Sequence, residues 1–140
     1  MKKLLLFFYL VFEVAAFDSA TASKIFDKIF HAMINKEKIS VYTKTKTYQN
    51  VILDSAHLNL SSSPKTADII LVNHLNEVPK NSKHYLLFST SYLVYKENEN
   101  TVGAFYWDRG HIKIEFSRKR LLHKNIKLPS SFDKYIKDDL

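Results

Sequence analysis

The sequence predicts an α/β fold: a single-domain sandwich on a mostly parallel sheet, with a C-terminal β-hairpin and two short closing helices. Three observations predict it. Two short apolar runs, Ile69-Ile70-Leu71-Val72 and Tyr85-Leu86-Leu87-Phe88, are bounded by polar residues, as strands buried on both faces of a parallel sheet are. Helical and strand periodicities alternate along the chain. Val102 to Trp107 and His111 to Phe116 flank Asp108-Arg109-Gly110. That pattern reads as a hairpin, with Gly110 suited to the positive φ of a tight turn.

Taken in order, the chain opens on Met1-Lys2-Lys3, an apolar run from Leu4 to Phe12, Glu13, and a small-residue stretch ending at Ala20-Thr21-Ala22. A basic start, a short apolar stretch and small residues before a cut describe a secretory signal peptide. The apolar run falls short of the roughly 20 residues a membrane span needs. The expectation is a signal peptide over 1–22, a single α/β domain over 23–140, and a periplasmic location. A cut after Ala16, with Val14 as the other small residue, is the alternative boundary. A buried or amphipathic first helix is the competing reading of the same run.

Ser23 to Ile34 places Ile25, Phe26, Ile29, Phe30, Met33 and Ile34 on one helical stripe, with Ser23 as the expected N-cap. Ile39, Val41 and Thr43 alternate as a strand. Tyr48 to Ala56 predicts a short helix, Leu58-Asn59-Leu60 a brief strand and Ser61-Ser62-Ser63-Pro64 a loop. Tyr92 to Tyr95 begins another helical turn. After the hairpin, Ser117 is placed to cap a helix over Arg118 to Lys124. Ser130, with Asp133 three residues on, is the expected cap of a last helix whose core face is Phe132, Tyr135 and Ile136.

Composition narrows the chemistry. Two glycines in 140 residues leave no room for a P-loop or a G-x-G-x-x-G turn. With no cysteine there is no disulfide, iron–sulfur cluster, cysteine nucleophile or cysteine zinc site. A 46% apolar content suffices for one packed core. The net charge of +7 stays with the mature domain, because Lys2 and Lys3 balance Glu13 and Asp18.

Arg118-Lys119-Arg120, Lys124 and Lys127 form a basic stretch. It reads as a solvated helix face or as a site for an anion, an acidic partner or an anionic membrane surface. Export argues against nucleic acid. The six histidines show neither H-x-x-x-H nor H-x-H spacing, so no metal site is expected. There is no G-x-S-x-G elbow and no positioned acid–base pair. The expectation is therefore a non-enzyme with no catalytic residues and no cofactor. Aromatics and arginine anchor binding surfaces, so the hairpin and the start of the next helix carry the first candidate set: Trp107, Arg109, His111, Glu115 and Arg118. A small-ligand pocket at the carboxyl ends of the parallel strands is the second, lined by Asn73, His74, Ser89, Thr90 and Ser91.

Val102-Gly103-Ala104-Phe105, the turn at Gly110, Ile112-Lys113-Ile114-Glu115-Phe116-Ser117, and then Leu121, Leu122 and Ile126 to Ile136 resemble the closing half of the YfiR-like family. Lys113 and Glu115 match its second hairpin strand, and Ser117 stands where asparagine is usual. The resemblance implies a periplasmic α/β sandwich that binds partners or small ligands without catalysis. The best-known member holds a membrane-bound diguanylate cyclase inactive by binding its periplasmic sensor domain. The implied role is thus a regulatory module contacting a membrane sensor or signalling protein, with a small anionic ligand and a homodimer as further partners. The family's cysteines and its amino-terminal Trp-Pro segment are absent here, so disulfide-based control does not carry over. The alternative is a periplasmic small-ligand carrier.

Overall fold

Helix α1 (Ser19–Met33) starts at Asp18, whose carboxylate accepts the backbone N–H groups of Ala20 and Thr21 and the Thr21 hydroxyl. The computed structural model describes residues 18–138. Asp18, not Ser23, is the cap: a carboxylate meets the unpaired amides of the first turn, and Ser23 is buried beneath it with Ala22. Leu4 to Phe12, the run behind the signal-peptide expectation, lies outside the described residues. Among those described, no helix is long and apolar enough to cross a membrane.

The chain continues through β1 (Ile39–Tyr42), α2 (Lys46–Leu53), β2 (Leu58–Leu60), β3 (Ile69–Val72), β4 (Leu87–Ser89), α3 (Tyr92–Glu97), β5 (Thr101–Asp108), β6 (His111–Ser117), α4 (Arg118–His123) and β7 (Ile136–Lys137). The seven strands form one sheet in the order β2-β1-β3-β4-β5-β6-β7. The first five are mutually parallel. β6 runs antiparallel to β5, and β7 parallel to β6. The chain steps outward from β1 to β2 and then returns to the other side of β1 with β3, so the order reverses between β1 and β3.

The sheet's two faces are unequal. Ala22, Phe26, Ile29 and Phe30 of α1 join Val51 and Ile52 of α2 over Ile39, Val41, Ile69, Leu71, Phe88 and Phe116. Phe26 is central, with ring centroids 4.8 Å from Phe105, 5.4 Å from Phe30 and 6.4 Å from Phe88. The other face carries a smaller cluster, in which Ile70, Val72 and Leu87 meet Val94 of α3. All four β3 residues are buried, as the apolar run requires.

The hairpin is where glycine is needed twice. Leu87 pairs with Thr101 but Ser89 with Ala104, so two steps on β4 match three on β5. That slip lets Val102 and Phe105, of opposite parity, both reach the main core. A Cβ on Gly103 would sit 2.7 Å from the Glu115 carbonyl oxygen and 2.8 Å from the Phe116 ring. At the turn, Asp108 pairs with His111, leaving a two-residue connection of Arg109 (φ 54°) and Gly110 (φ 80°). Two positive φ values define the type I′ geometry that matches strand twist. Asp108 is therefore a strand residue, contrary to the three-residue turn the sequence predicts.

Both short closing helices are present. Ser117 caps α4, accepting the Arg120 N–H. The helix ends in a Schellman arrangement: Asn125 takes φ 56°, its N–H reaches the Leu122 carbonyl, and the Ile126 N–H reaches that of Leu121. The last helix is a 3₁₀ segment (Ser130–Tyr135) entered at Pro129 with no side-chain cap. Ser130 thus does not cap it, and Ile136 belongs to β7, paired with Phe116, rather than to a helical face. The open edge of β6 recruits these residues, while Phe132, Tyr135 and Ile136 still pack on the main core.

Candidate functional site

The register of β5 and β6 separates the first candidate set. Residues directly opposite share a face. Trp107 faces Ile112, on the α1 side, whereas Asp108 faces His111, Tyr106 faces Lys113 and Ala104 faces Glu115 on the other side. His111 is therefore opposite Asp108. Trp107, Asp108, Arg109, Gly110 and His111 are all exposed, making the hairpin end the most prominent projection of the set. Glu115 lies half-buried farther along β6. Arg118 begins α4 at the far end of that strand, roughly 20 Å from His111 at strand rise. Its Nε donates to Asp138 at 2.5 Å, an exposed ion pair that contributes little to stability.

The second set does come together, at the carboxyl edge of the parallel strands. Thr90 Oγ1 donates to Asn73 Oδ1 at 2.7 Å, and Ser89 Oγ donates to the Ser91 carbonyl at 2.6 Å while accepting the Ser91 N–H at 2.9 Å. The Asn73 side chain meets His74 Nε2 at 3.3 Å. Ser91 Oγ also caps α3. The amides of Asn73 and His74, which face the reversal of strand order, donate to Glu77 Oε1 at 2.7 and 3.1 Å. Thr45 Oγ1, from the other side of that reversal, donates to Glu77 Oε2 at 3.2 Å. Burial raises the Tyr48 phenol, moderated by its contact with Thr90. A ligand anion at this edge would compete with the protein's own carboxylate.

The opposite, amino-terminal edge opens into a cleft of about 770 Å³. Lys83, Lys96, Lys119, Arg120, His123 and Lys124 line it, together with Glu97, Glu99 and Asp138. Two of these cations are structural ties. Arg120 Nη1 donates to the carbonyls of Tyr95 (2.7 Å) and Thr101 (3.0 Å), with its guanidinium 5.0 Å from the Tyr95 ring centroid. Lys124 Nζ donates to the carbonyls of Lys83 (2.7 Å) and Tyr85 (3.0 Å). Burial lowers both pKa values. Lys83, Lys96, Lys119 and His123 are exposed along the cleft. The basic stretch after the hairpin carries only part of this cleft. Lys83 and Lys96 are distant in sequence, and no local motif announces them.

Among the described residues, no group of three or more histidines and carboxylates is placed to hold a metal ion. His31 and His57 do approach, with ring centroids 6.2 Å apart. His31 bridges two carbonyls, Nδ1 to Asp27 at 2.8 Å and Nε2 to Glu37 at 3.0 Å. Burial works against its charge, but those two acceptors and the Asp27 carboxylate outweigh it and raise its pKa.

Fold and site together define a single α/β domain with a reversal-type parallel sheet, an antiparallel hairpin annex and a polar cleft at its amino edge. A solved structure of similar fold is a conserved domain protein from Vibrio cholerae O1 biovar El Tor, at TM-score 0.60 and 7% sequence identity, covering 84% of this chain. The chain spans about 60% of that protein's length. No family model and no curated protein matches the sequence.

Proposed function

We propose that this is a non-enzymatic, exported binding module of the YfiR-like kind. Its hairpin end contacts the periplasmic domain of a membrane signalling protein such as a diguanylate cyclase. The observation that carries this reading is the run of five exposed residues, Trp107 to His111, held on a two-residue turn. A hairpin end presenting an aromatic ring, a guanidinium and an imidazole suits partner recognition. Its two-residue turn leaves little loop to order on binding. Occlusion of the partner would be relieved when a small anionic ligand in the basic cleft shifts the equilibrium between bound and released forms.

A photo-crosslinker at position 109, displayed on cells, is expected to trap a membrane signalling protein, and Arg109→Ala to weaken its recovery by affinity capture. Recovery of no membrane protein by either route overturns the reading. Export has its own test. A cut after Ala22 removes the Asp18 cap and the first turn of α1, whereas a cut after Ala16 preserves both. Amino-terminal sequencing of the periplasmic form is expected to begin at Phe17.

The second reading, a small-ligand carrier, is favoured at the basic cleft rather than at the strand ends, because Glu77 already holds the amides there.

A further inference from the structure

On the face of the sheet away from α1, a second pocket of about 390 Å³ lies between α3 and the hairpin. Tyr92, Tyr106, Asp108 and Glu115 line it. The Tyr92 and Tyr106 rings stand 5.1 Å apart, tilted by 50°, and form one corner. Tyr92 also meets the buried Tyr95 at 6.3 Å. Trp107 borders the pocket too, but strand alternation assigns its side chain to the opposite face.

The pocket is acidic within a chain of net charge +7. Glu115 is half-buried, yet among the described residues it makes no ion pair. Lys113 and His111 share its face of the hairpin without pairing with it. Beneath it lies the Tyr95 hydroxyl, wholly buried and lacking a hydrogen bond of proper geometry. Burial raises the Tyr95 phenol, and the adjacent Glu115 carboxylate adds to that rise. Tyr106 is raised by burial first, then by Glu115, Tyr92 and Asp108. Both carboxylates thus lie close enough to Tyr106 to bear on its hydroxyl, in a space bordered by two tyrosine rings.

A half-buried carboxylate without a cation, beside two tyrosine rings, is complementary to one chemical class. We propose that the Tyr92–Tyr106–Glu115 pocket binds a small organic ammonium ion, of the size of choline. The ring faces attract the diffuse charge of an alkylated ammonium. Glu115 supplies the countercharge, with Asp108 farther along the same face of the hairpin. An inorganic cation would favour more oxygen ligands than two carboxylates offer. The pocket is separate from the basic cleft and does not depend on the partner contact proposed above.

Calorimetric titration of the purified protein with choline and tetramethylammonium tests it, with uncharged 3,3-dimethylbutan-1-ol as the isostere of choline. Both ammonium ions are expected to bind and the alcohol to bind at least about tenfold more weakly. Glu115→Gln and Tyr106→Leu should each weaken choline about tenfold, whereas Tyr106→Phe, which keeps the ring, stays within about threefold. Melting temperatures of the variants report whether they fold. Equal binding of the alcohol, or unchanged affinity in folded Glu115→Gln, overturns the proposal. Choline-headgroup vesicles separate the sources of the ligand. Binding to vesicles without binding of free choline also overturns it, because a pocket of this size takes the headgroup alone.

Discussion

The two edges of the sheet handle polar groups in opposite ways. At the carboxyl edge, Asn73, His74, Thr90 and Thr45 turn inward on one another and on Glu77. At the amino edge, Arg120 and Lys124 hold backbone carbonyls while Lys83, Lys96, Lys119 and His123 face an open cleft. Strand ends in open α/β sheets gather ligand-binding groups at the carboxyl side. That geometry says where backbone donors converge, not whether the chain has already supplied their acceptor. Here one glutamate supplies it, and the open cleft lies at the other edge.

The sharpest way to break this contrast is to remove a tie on the open side. Arg120→Ala leaves the Tyr95 and Thr101 carbonyls without their charged donor and should cost about 2–3 kcal/mol in denaturant unfolding. Lys119→Ala, in the same cleft, should stay within about 0.5 kcal/mol yet weaken binding of any anion there. If both variants lose stability equally, the division between tie and ligand group is wrong. Next in size, Glu77→Ala strips the acceptor from two amides and should cost about 1–2 kcal/mol. Thermal shift with phosphate should then report a new stabilisation at the emptied carboxyl edge. No response there would mean that the edge is a structural lock with no latent site.

A smaller effect, of opposite sign, lies at the turn. Arg109 holds a left-handed conformation that asparagine tolerates better. Arg109→Asn should therefore stabilise by roughly 0.5–1 kcal/mol while removing the proposed contact cation. The smallest effect is electrostatic. His31 has a raised pKa when folded. Its contribution is fully present below the unfolded value near 6.5 and declines as pH rises through the folded value. A shallow loss of stability from neutral pH upward should appear in pH-dependent melting and vanish in His31→Gln, with an amplitude under about 1 kcal/mol.

The sheet was legible where one face or both are fully apolar. Ile69 to Val72 reads as a central strand because its run is wholly apolar, and the two runs flanking Gly110 form the hairpin. The first helix was found by its stripe, but its start was displaced because capping depends on which side chain meets the first amides, and Asp18 lay inside the presumed leader. β7 was missed since two residues carry no periodicity and pair only because β6 offers an edge. The site was harder. Trp107 and Glu115 sit eight positions apart in one hairpin, yet register puts their side chains on opposite faces. Lys83 and Lys96 join the basic cleft from separate connections, and Glu77 enters the carboxyl edge from a 3₁₀ turn. Such convergence is a property of chain path, which local spacing does not encode.

The shortness of β7 has a consequence for association. Of the seven residues of β6, only Phe116 and Ser117 are paired on their outer side, by Ile136 and Lys137. A chain released or clipped before Ile136 would present that strand as a bare template, with Ile112, Ile114 and Phe116 alternating along it. Ile136 and Lys137 thus cover the end of that edge where Phe116 would otherwise lie open to another strand. Loss of these two residues is expected to raise self-association at high concentration.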